Sequence, residues 1–254
     1  MRGTFDVSGR KVLISGGTSG IGLAMAEAFL DAGAAVTLMS RRADVGQAVV
    51  ADLAGRGAVS FVAGDTGLRP DCRLAVARAV ADMGGLDTVV AAAGVNKRCR
   101  PEELTDEDWD WVVDASLKGT FLLCQEAYPQ LKSSGDGRIV TIGSMMSILA
   151  NGVTAAYASA KGGVVQLTRS FAVAWAADGI RANCILPGWI DTPLTQGARR
   201  DMPGLDTMVT ARTPVGRWGV PADVAGTALF LASPAAAFVT GVALPVDGGY
   251  SIRG

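Results

Sequence analysis

The stretch "KVLISGGTSGIGLAMAEAFLDAG", Lys11 to Gly33, joins three signals in a fixed order. "KVLIS" (11–15) is a short, largely apolar run of the kind that forms a strand buried on both faces. Gly16, Gly20 and Gly22 follow in the spacing GxxxGxG. Ile21, Ala24, Met25, Ala28, Phe29 and Ala32 then recur at the i, i+3, i+4, i+7 period of a helix, with Gly33 at its C-terminal cap. A glycine turn between strand and helix lets backbone approach a phosphate, while the N-H groups and dipole of the helix attract a pyrophosphate. Alone, such a turn is only a tight connection. Its place between strand and helix points to a dinucleotide.

Outward from this unit the same alternation continues. "AVTLM" (35–39), "VSFVA" (59–63), "DTVVAA" (87–92), "RIVTI" (138–142), "RANCIL" (181–186) and "ALPV" (243–246) read as further strands, nearly continuous in apolar residues as buried parallel strands should be. "TDED" (105–108) is a capping-box start for a helix running into Trp109 and Trp111, and Pro70, Pro101 and Pro221 stand near other helix starts. The expected fold is therefore α/β, a doubly wound sheet of about seven parallel strands with helices on both faces. It forms one domain over residues 1–254. From Trp189 to Arg217 the period is lost and prolines, glycines and arginines collect, so 189–217 reads as a partly helical excursion of the kind that forms a substrate loop.

Composition narrows the chemistry. The chain has 254 residues, 49% hydrophobic and 19% charged, enough to close a large core. A net charge of −1, from 23 basic and 24 acidic residues, offers no footprint for nucleic acid or an anionic membrane. No apolar run reaches the roughly 18 residues of a membrane span, and "MRGTFDVSGR" lacks the apolar middle of a signal peptide, so a cytoplasmic protein is expected. Cys72, Cys99, Cys124 and Cys184 lie far apart without a CxxC pair and read as reduced core residues, with no metal site. Histidine is absent altogether. Serine-histidine, cysteine-histidine and HExxH chemistries are thereby excluded, and acid-base work must fall to a carboxyl, lysine, cysteine or tyrosine.

The second strand candidate ends in "MSRR". Ser40, Arg41 and Arg42 put a hydroxyl and positive charge where dinucleotide folds that prefer NAD(H) carry an acid, which favours NADP(H) and leaves NAD(H) as the second choice. As solvated residues at a helix start, the arginines would leave the preference open.

With "GGTSGIG" (16–22), "AAAG" (91–94), Ser144 and "YASAK" (157–161) in order, the chain resembles the short-chain dehydrogenase/reductase family over nearly its whole length, ending with "PGWIDTPL" (187–194) and "VTGVALPVDGGY" (239–250). The resemblance implies a Rossmann-type sheet, a nicotinamide cofactor and hydride transfer between an alcohol and a carbonyl. It also implies that Ser144 and Tyr157 are catalytic and that Lys161 binds ribose and tunes the tyrosine. Gly16, Ser19, Gly20 and Ile21 would line the cofactor phosphates, Asp65 would meet the adenine, Ala93 and Gly94 the ribose, and Ile190 and Thr192 the nicotinamide amide. Two positions depart from the family pattern. "AAAG" replaces the usual "NNAG", removing side chains that brace the fourth strand. Ser116 in "DASLKG" replaces an asparagine described as seating a water in the proton path, and is carried as a candidate for that place.

Tyr157 and Lys161 stand at i and i+4, so their Cβ atoms lie about 5 to 6 Å apart on one helix face. A free phenol ionises near pH 10, and moving it to about 7 needs roughly 4 kcal/mol, which one or two close cations in a partly dry site can supply. Lysine beside the phenol, together with an oxidised nicotinamide ring, is expected to favour phenolate. The substrate expected is a small ketone, keto ester, sugar or polyol, in a pocket made apolar and adaptable by Met145, Met146, Leu149 and Trp189. Two alternatives stay open. A 3-oxoacyl-[acyl-carrier-protein] reductase would want a basic patch, for which Arg98, Arg100, Arg199 and Arg200 are available; a non-catalytic NADP(H)-binding sensor would bind cofactor without turnover. The resemblance further implies a homo-oligomer, dimer or tetramer, for which Leu167, Phe171, Ala174 and Trp175 offer an apolar helix face that the chain's own sheet could equally cover.

Overall fold

The computed structural model describes residues 3–253. In chain order the elements are β1 (Lys11–Ser15), α1 (Gly20–Asp31), β2 (Ala35–Ser40), α2 (Ala43–Leu53), β3 (Val59–Ala63), α3 (Arg69–Met83), β4 (Thr88–Ala91), α4 (Asp106–Val113), α5 (Gly119–Ser133), β5 (Gly137–Ile142), α6 (Ala155–Trp175), β6 (Ile180–Pro187), α7 (Pro193–Asp201), α8 (Leu205–Arg212), α9 (Pro221–Ala232) and β7 (Ala243–Val246). The seven strands form one sheet in the order β3-β2-β1-β4-β5-β6-β7, every neighbouring pair parallel. Each expected strand is present. β4 is one residue shorter at each end than the apolar run, because the Asp87 carboxylate accepts from Lys11 N at 3.1 Å and Ala92 leaves towards the turn.

Both faces of the sheet are covered, which is why its strands read as unbroken apolar runs. On β1, Val12 and Ile14 turn to one side and pack with Met25, Phe29 and Leu30 of α1 and Val224 and Leu231 of α9. Leu13 turns to the other and joins Cys72 and Ala75 of α3, Leu123 and Ala127 of α5, and Phe171 of α6. The apolar face of α6 is consumed at home: Phe171 stacks on Trp175 at 4.4 Å and Tyr128 of α5 meets the same indole at 4.9 Å, while Ala174 is exposed. Cys72, Cys124 and Cys184 are buried as expected. Cys99 departs from the expectation, half-buried in the loop after β4, where its N-H donates to Val153 O at 3.1 Å.

The excursion resolves into α7 and α8, started by Thr192, whose hydroxyl accepts from Thr195 N, and by Gly204 at φ +82°. Thr105 caps α4 by accepting from Asp108 N at 3.1 Å, as the "TDED" stretch predicts. Between α4 and α5 the chain widens into one π turn, Asp114–Lys118. Such turns insert one residue into a helix and re-aim its side chains.

At the opposite, N-terminal edge of the sheet, Asp136 gathers three arginines from β-strand starts. Its carboxylate meets Arg10 at 2.6 Å, Arg138 at 2.5 Å and Arg181 at 3.2 Å. Arg10 and Arg138 are only 6% and 2% exposed; Arg10 also meets Asp87 at 3.4 Å, so Arg138 depends most on this acid, and Asp136 itself is half-exposed, which moderates its worth. Asp136→Asn should cost about 1–2 kcal/mol of stability by urea unfolding, as buried guanidinium charge loses its counter-ion. Unchanged stability would show that water already solvates the cluster.

Candidate active site

β1 and β4 are neighbours from which the chain departs in opposite directions, and a crevice opens at their C-terminal ends. The glycine turn lines it. Gly16 lies at φ +68°, and a Cβ there would stand 2.9 Å from Ala93 backbone, so only glycine lets the ends of β1 and β4 approach so closely. A Cβ at Gly22 would stand 2.3 Å from Gly16 O, so this glycine serves the turn's own packing. Gly16, Ser19, Gly20, Ile21, Ala93 and Gly94 share the walls of one cavity of about 200 Å³ with Ser144, Tyr157, Lys161, Ile190 and Thr192. Residues up to 176 positions apart in sequence (16 to 192) thus meet in one crevice.

Ser144 follows β5, with its hydroxyl accepting from Met146 N at 3.1 Å; it caps the short turn Met145–Ser147 while also facing the cavity. Its position is fixed through Ser147, a residue the sequence reading did not single out. Ser147 Oγ accepts from Ser144 N at 3.1 Å and donates to Lys161 O at 2.8 Å, tying the end of β5 to α6. Lys161 is 3% exposed and donates from Nζ to Ile142 O at 2.7 Å. Burial lowers its pKa to about 8. Its ammonium lies 5.7 Å from the Tyr157 ring centroid.

The protein's own groups act on Tyr157 against the sequence expectation. Burial pushes the phenol above its ordinary value, opposed by the Ser144 hydroxyl and by the charge of Arg98. Arg98 is one cation that favours phenolate, and the Lys161 ammonium beside the ring is a second positive charge at the same site.

The missing braces of "AAAG" are replaced from elsewhere. Ser15 Oγ on β1 accepts from Ala93 N at 3.4 Å, and Ser116 Oγ accepts from Val95 N at 3.4 Å. Ser116 is fully buried in the π turn, and a Cβ on Gly94 would meet both Lys161 Nζ at 3.2 Å and Ser116 Oγ at 3.4 Å. Ser116 therefore stands beside the lysine's neighbour, bracing the loop after β4.

A second cavity of about 220 Å³ adjoins the first, sharing Gly16, Ser19, Ala93 and Gly94 and continuing past Ser40, Arg41, Arg42 and Asp65. Ser40 Oγ is buried and has no hydrogen-bond partner. A buried hydroxyl left unpaired in a protein fits a site completed by a ligand, here the ribose end of a dinucleotide. Arg41 and Arg42 are exposed beside it. Asp65 is engaged within the protein, its Oδ1 accepting from Gly67 N at 2.9 Å.

A third cavity, about 380 Å³, opens from Ser144 and Tyr157 towards α7 and α8. Met145, Met146, Leu149 and Trp189 line it, as their apolar character suggests. Arg98 lines it too, which the sequence reading missed, having grouped that residue with a basic patch. Two of the arginines grouped with it carry acidic partners. Arg199 is tied to Asp191 at 2.7 Å and Asp206 at 2.8 Å and lies 3.9 Å over Trp218, and Arg100 pairs with Glu102. Among the described residues no cluster of three or more metal-ligating side chains occurs, and no helix is long and apolar enough to cross a membrane.

Comparison with known proteins places the chain in a family. A family model described as enoyl-(acyl carrier protein) reductase matches residues 16–251. D-threitol dehydrogenase of Mycolicibacterium smegmatis is 36% identical over 250 residues, covering 98% of this chain and 95% of the relative. The chain belongs to the short-chain dehydrogenase/reductase family. Within this family, cis-4-hydroxycyclohexanecarboxylate dehydrogenase of Sinomonas cyclohexanicum is 38% identical over 95% of this chain and 96% of its own. The crystal structure of gluconate 5-dehydrogenase from Burkholderia cenocepacia, in complex with NADP and tartrate, superposes with a TM-score of 0.94 at 33% identity, covering 99% of this chain and 98% of that one.

Proposed function

We propose that the chain is a nicotinamide-dependent oxidoreductase interconverting a secondary alcohol and a ketone. The observation that carries this reading is the single crevice in which the glycine turn, Ser144, Tyr157 and Lys161 meet, opening into an apolar cavity. The named relatives, a threitol dehydrogenase and a hydroxycyclohexanecarboxylate dehydrogenase, act on CH-OH groups and support the same reaction class.

In the direction of reduction, Ser144 Oγ and the Tyr157 hydroxyl donate to the carbonyl oxygen and orient its carbon towards the crevice. The nicotinamide, when bound, supplies the hydride to that carbon. Tyr157 gives its proton to the oxygen, and Lys161, held beside the ring by Ile142 O, favours the phenolate left behind. In oxidation Tyr157 takes the alcohol proton as hydride leaves carbon. Ser147 holds Ser144 in register with α6, and Ser116 braces the loop at Gly94. A homo-oligomer, dimer or tetramer, belongs to the same proposal.

Arg41 and Arg42, exposed beside the unpartnered Ser40 hydroxyl, favour NADP(H) over NAD(H), because a guanidinium attracts a 2′-phosphate and an acid there would repel it. Steady-state reduction of a panel of ketones and keto esters with each nucleotide tests both points. Wild type should prefer NADPH, and Arg41→Ala with Arg42→Ala should lower kcat/KM for NADPH by about 10- to 100-fold with little effect on NADH, the loss of one or two charge-assisted contacts. Equal losses with both nucleotides would exclude phosphate recognition by these arginines, and no oxidation of either nucleotide with any carbonyl would refute the enzyme reading.

A further inference from the structure

Apart from Arg200, which is exposed outside the cavity, the arginines around α7 and α8 divide into two kinds. Arg199 and Arg217 are spoken for, the first by Asp191 and Asp206, the second by Asp223 at 2.7 Å. Arg98 and Arg212 have no carboxylate partner among the described residues, although both are part-buried. Both line the 380 Å³ cavity, and no aspartate or glutamate shares its walls. They come from different elements, Arg98 from the loop after β4 and Arg212 from the last turn of α8.

Arg212 is held in place by packing. Its guanidinium carbon lies 4.4 Å from the ring centroid of Tyr250, itself only 5% exposed, so the charge is oriented by a fixed aromatic face. Arg98 sits nearer the reacting end, where its charge is felt by the Tyr157 phenol. Two guanidinium groups are the only charged side chains lining this largely apolar, acid-free cavity, whose other polar groups are neutral amides and hydroxyls, and a planar fork of N-H donors matches a carboxylate.

We propose that this cavity is built for an organic anion: the substrate is a hydroxy or oxo acid whose ring or chain packs against Met145, Met146, Leu149 and Trp189, and whose carboxylate is read by Arg98 and Arg212. This assignment rests on the reading that Tyr157 marks the reacting carbon, and it makes the two arginines specificity determinants.

The test is a binding comparison that needs no turnover. Cyclohexanecarboxylate and cyclohexanecarboxamide have nearly the same shape and lack a ring carbonyl or alcohol, so titration calorimetry with the full chain and saturating NADP⁺ isolates the charge. The carboxylate should bind at least about tenfold more tightly than the amide, and Arg98→Gln or Arg212→Gln should each erase most of that ratio. The proposal is overturned if acid and amide bind equally, if neither binds measurably, or if the ratio survives in both variants. The wild-type comparison stands even where a variant does not fold. An active ketone reductase can fail this test and a catalytically inert chain can pass it, so the two readings fall separately.

Discussion

Tyr157→Phe lowers kcat by about three orders of magnitude while the nicotinamide nucleotide binds as before, the range expected when a positioned proton donor is removed. Phenylalanine keeps the ring near Lys161 and deletes only the hydroxyl that faces the crevice. No histidine exists anywhere in the chain to take over, and the cysteine nearest the lysine, Cys184, is buried with its thiol pushed upward by burial. Steady-state rates and nucleotide titrations on the same preparation check the prediction; a variant retaining more than about a tenth of wild-type kcat would remove Tyr157 from the chemistry. Direction follows from the same group. Because burial raises the phenol, the protonated form needed to reduce a carbonyl is in hand at neutral pH, whereas oxidation needs phenolate. Oxidation should therefore gain with rising pH over a range where reduction does not.

Lys161→Met changes stability in a way that depends on pH, by about 2–3 kcal/mol between pH 7 and pH 10. Lys161 is buried, with its pKa lowered from 10.5 to about 8. The unfolded chain therefore binds more protons than the folded one between about pH 8 and 10.5, and by linkage the wild type gains stability as pH rises through that window. Below about pH 8 the cost of folding around a desolvated ammonium is present in full. Methionine carries no such cost at any pH, though it strands Ile142 O, a loss that does not vary with pH. Subtracting the variant from the wild type at each pH in urea titrations cancels all other ionisations. A difference that stays flat or falls with pH would show that the ammonium remains solvated. The same variant should be nearly inactive, so a burden on stability at neutral pH is kept for a charge that function requires.

The strands were legible because a parallel sheet covered on both faces leaves no polar alternation to confuse with helix, and the glycine turn because Gly16 and Gly20 need positive φ. Ser144, Tyr157 and Lys161 were legible through motif spacing, and the structure draws them around one cavity. What stayed hidden depends on convergence of distant residues. Ser15 and Ser116 stand in for braces that the fourth strand lacks, yet nothing local to either serine announces it. Asp136 collects Arg10, Arg138 and Arg181 only because parallel strands align their starts. The placement of Arg98 required knowing that the loop after β4 folds back over Tyr157. For the Tyr157 phenol, i, i+4 spacing gives proximity to Lys161 but not the depth of burial that pushes the group upward in the protein alone.

The strand order also bears on how this polypeptide is made. β2 and β3 add to one side of β1 early, but its other side is met by β4, so that open edge waits until residues 88–91 have left the ribosome. β5, β6 and β7 then extend the sheet outward in the order of synthesis, each delivered by a helical crossover. A nascent chain halted between β3 and β4 would display an unpaired, largely apolar edge, the species most prone to sticking to its neighbours on a polysome.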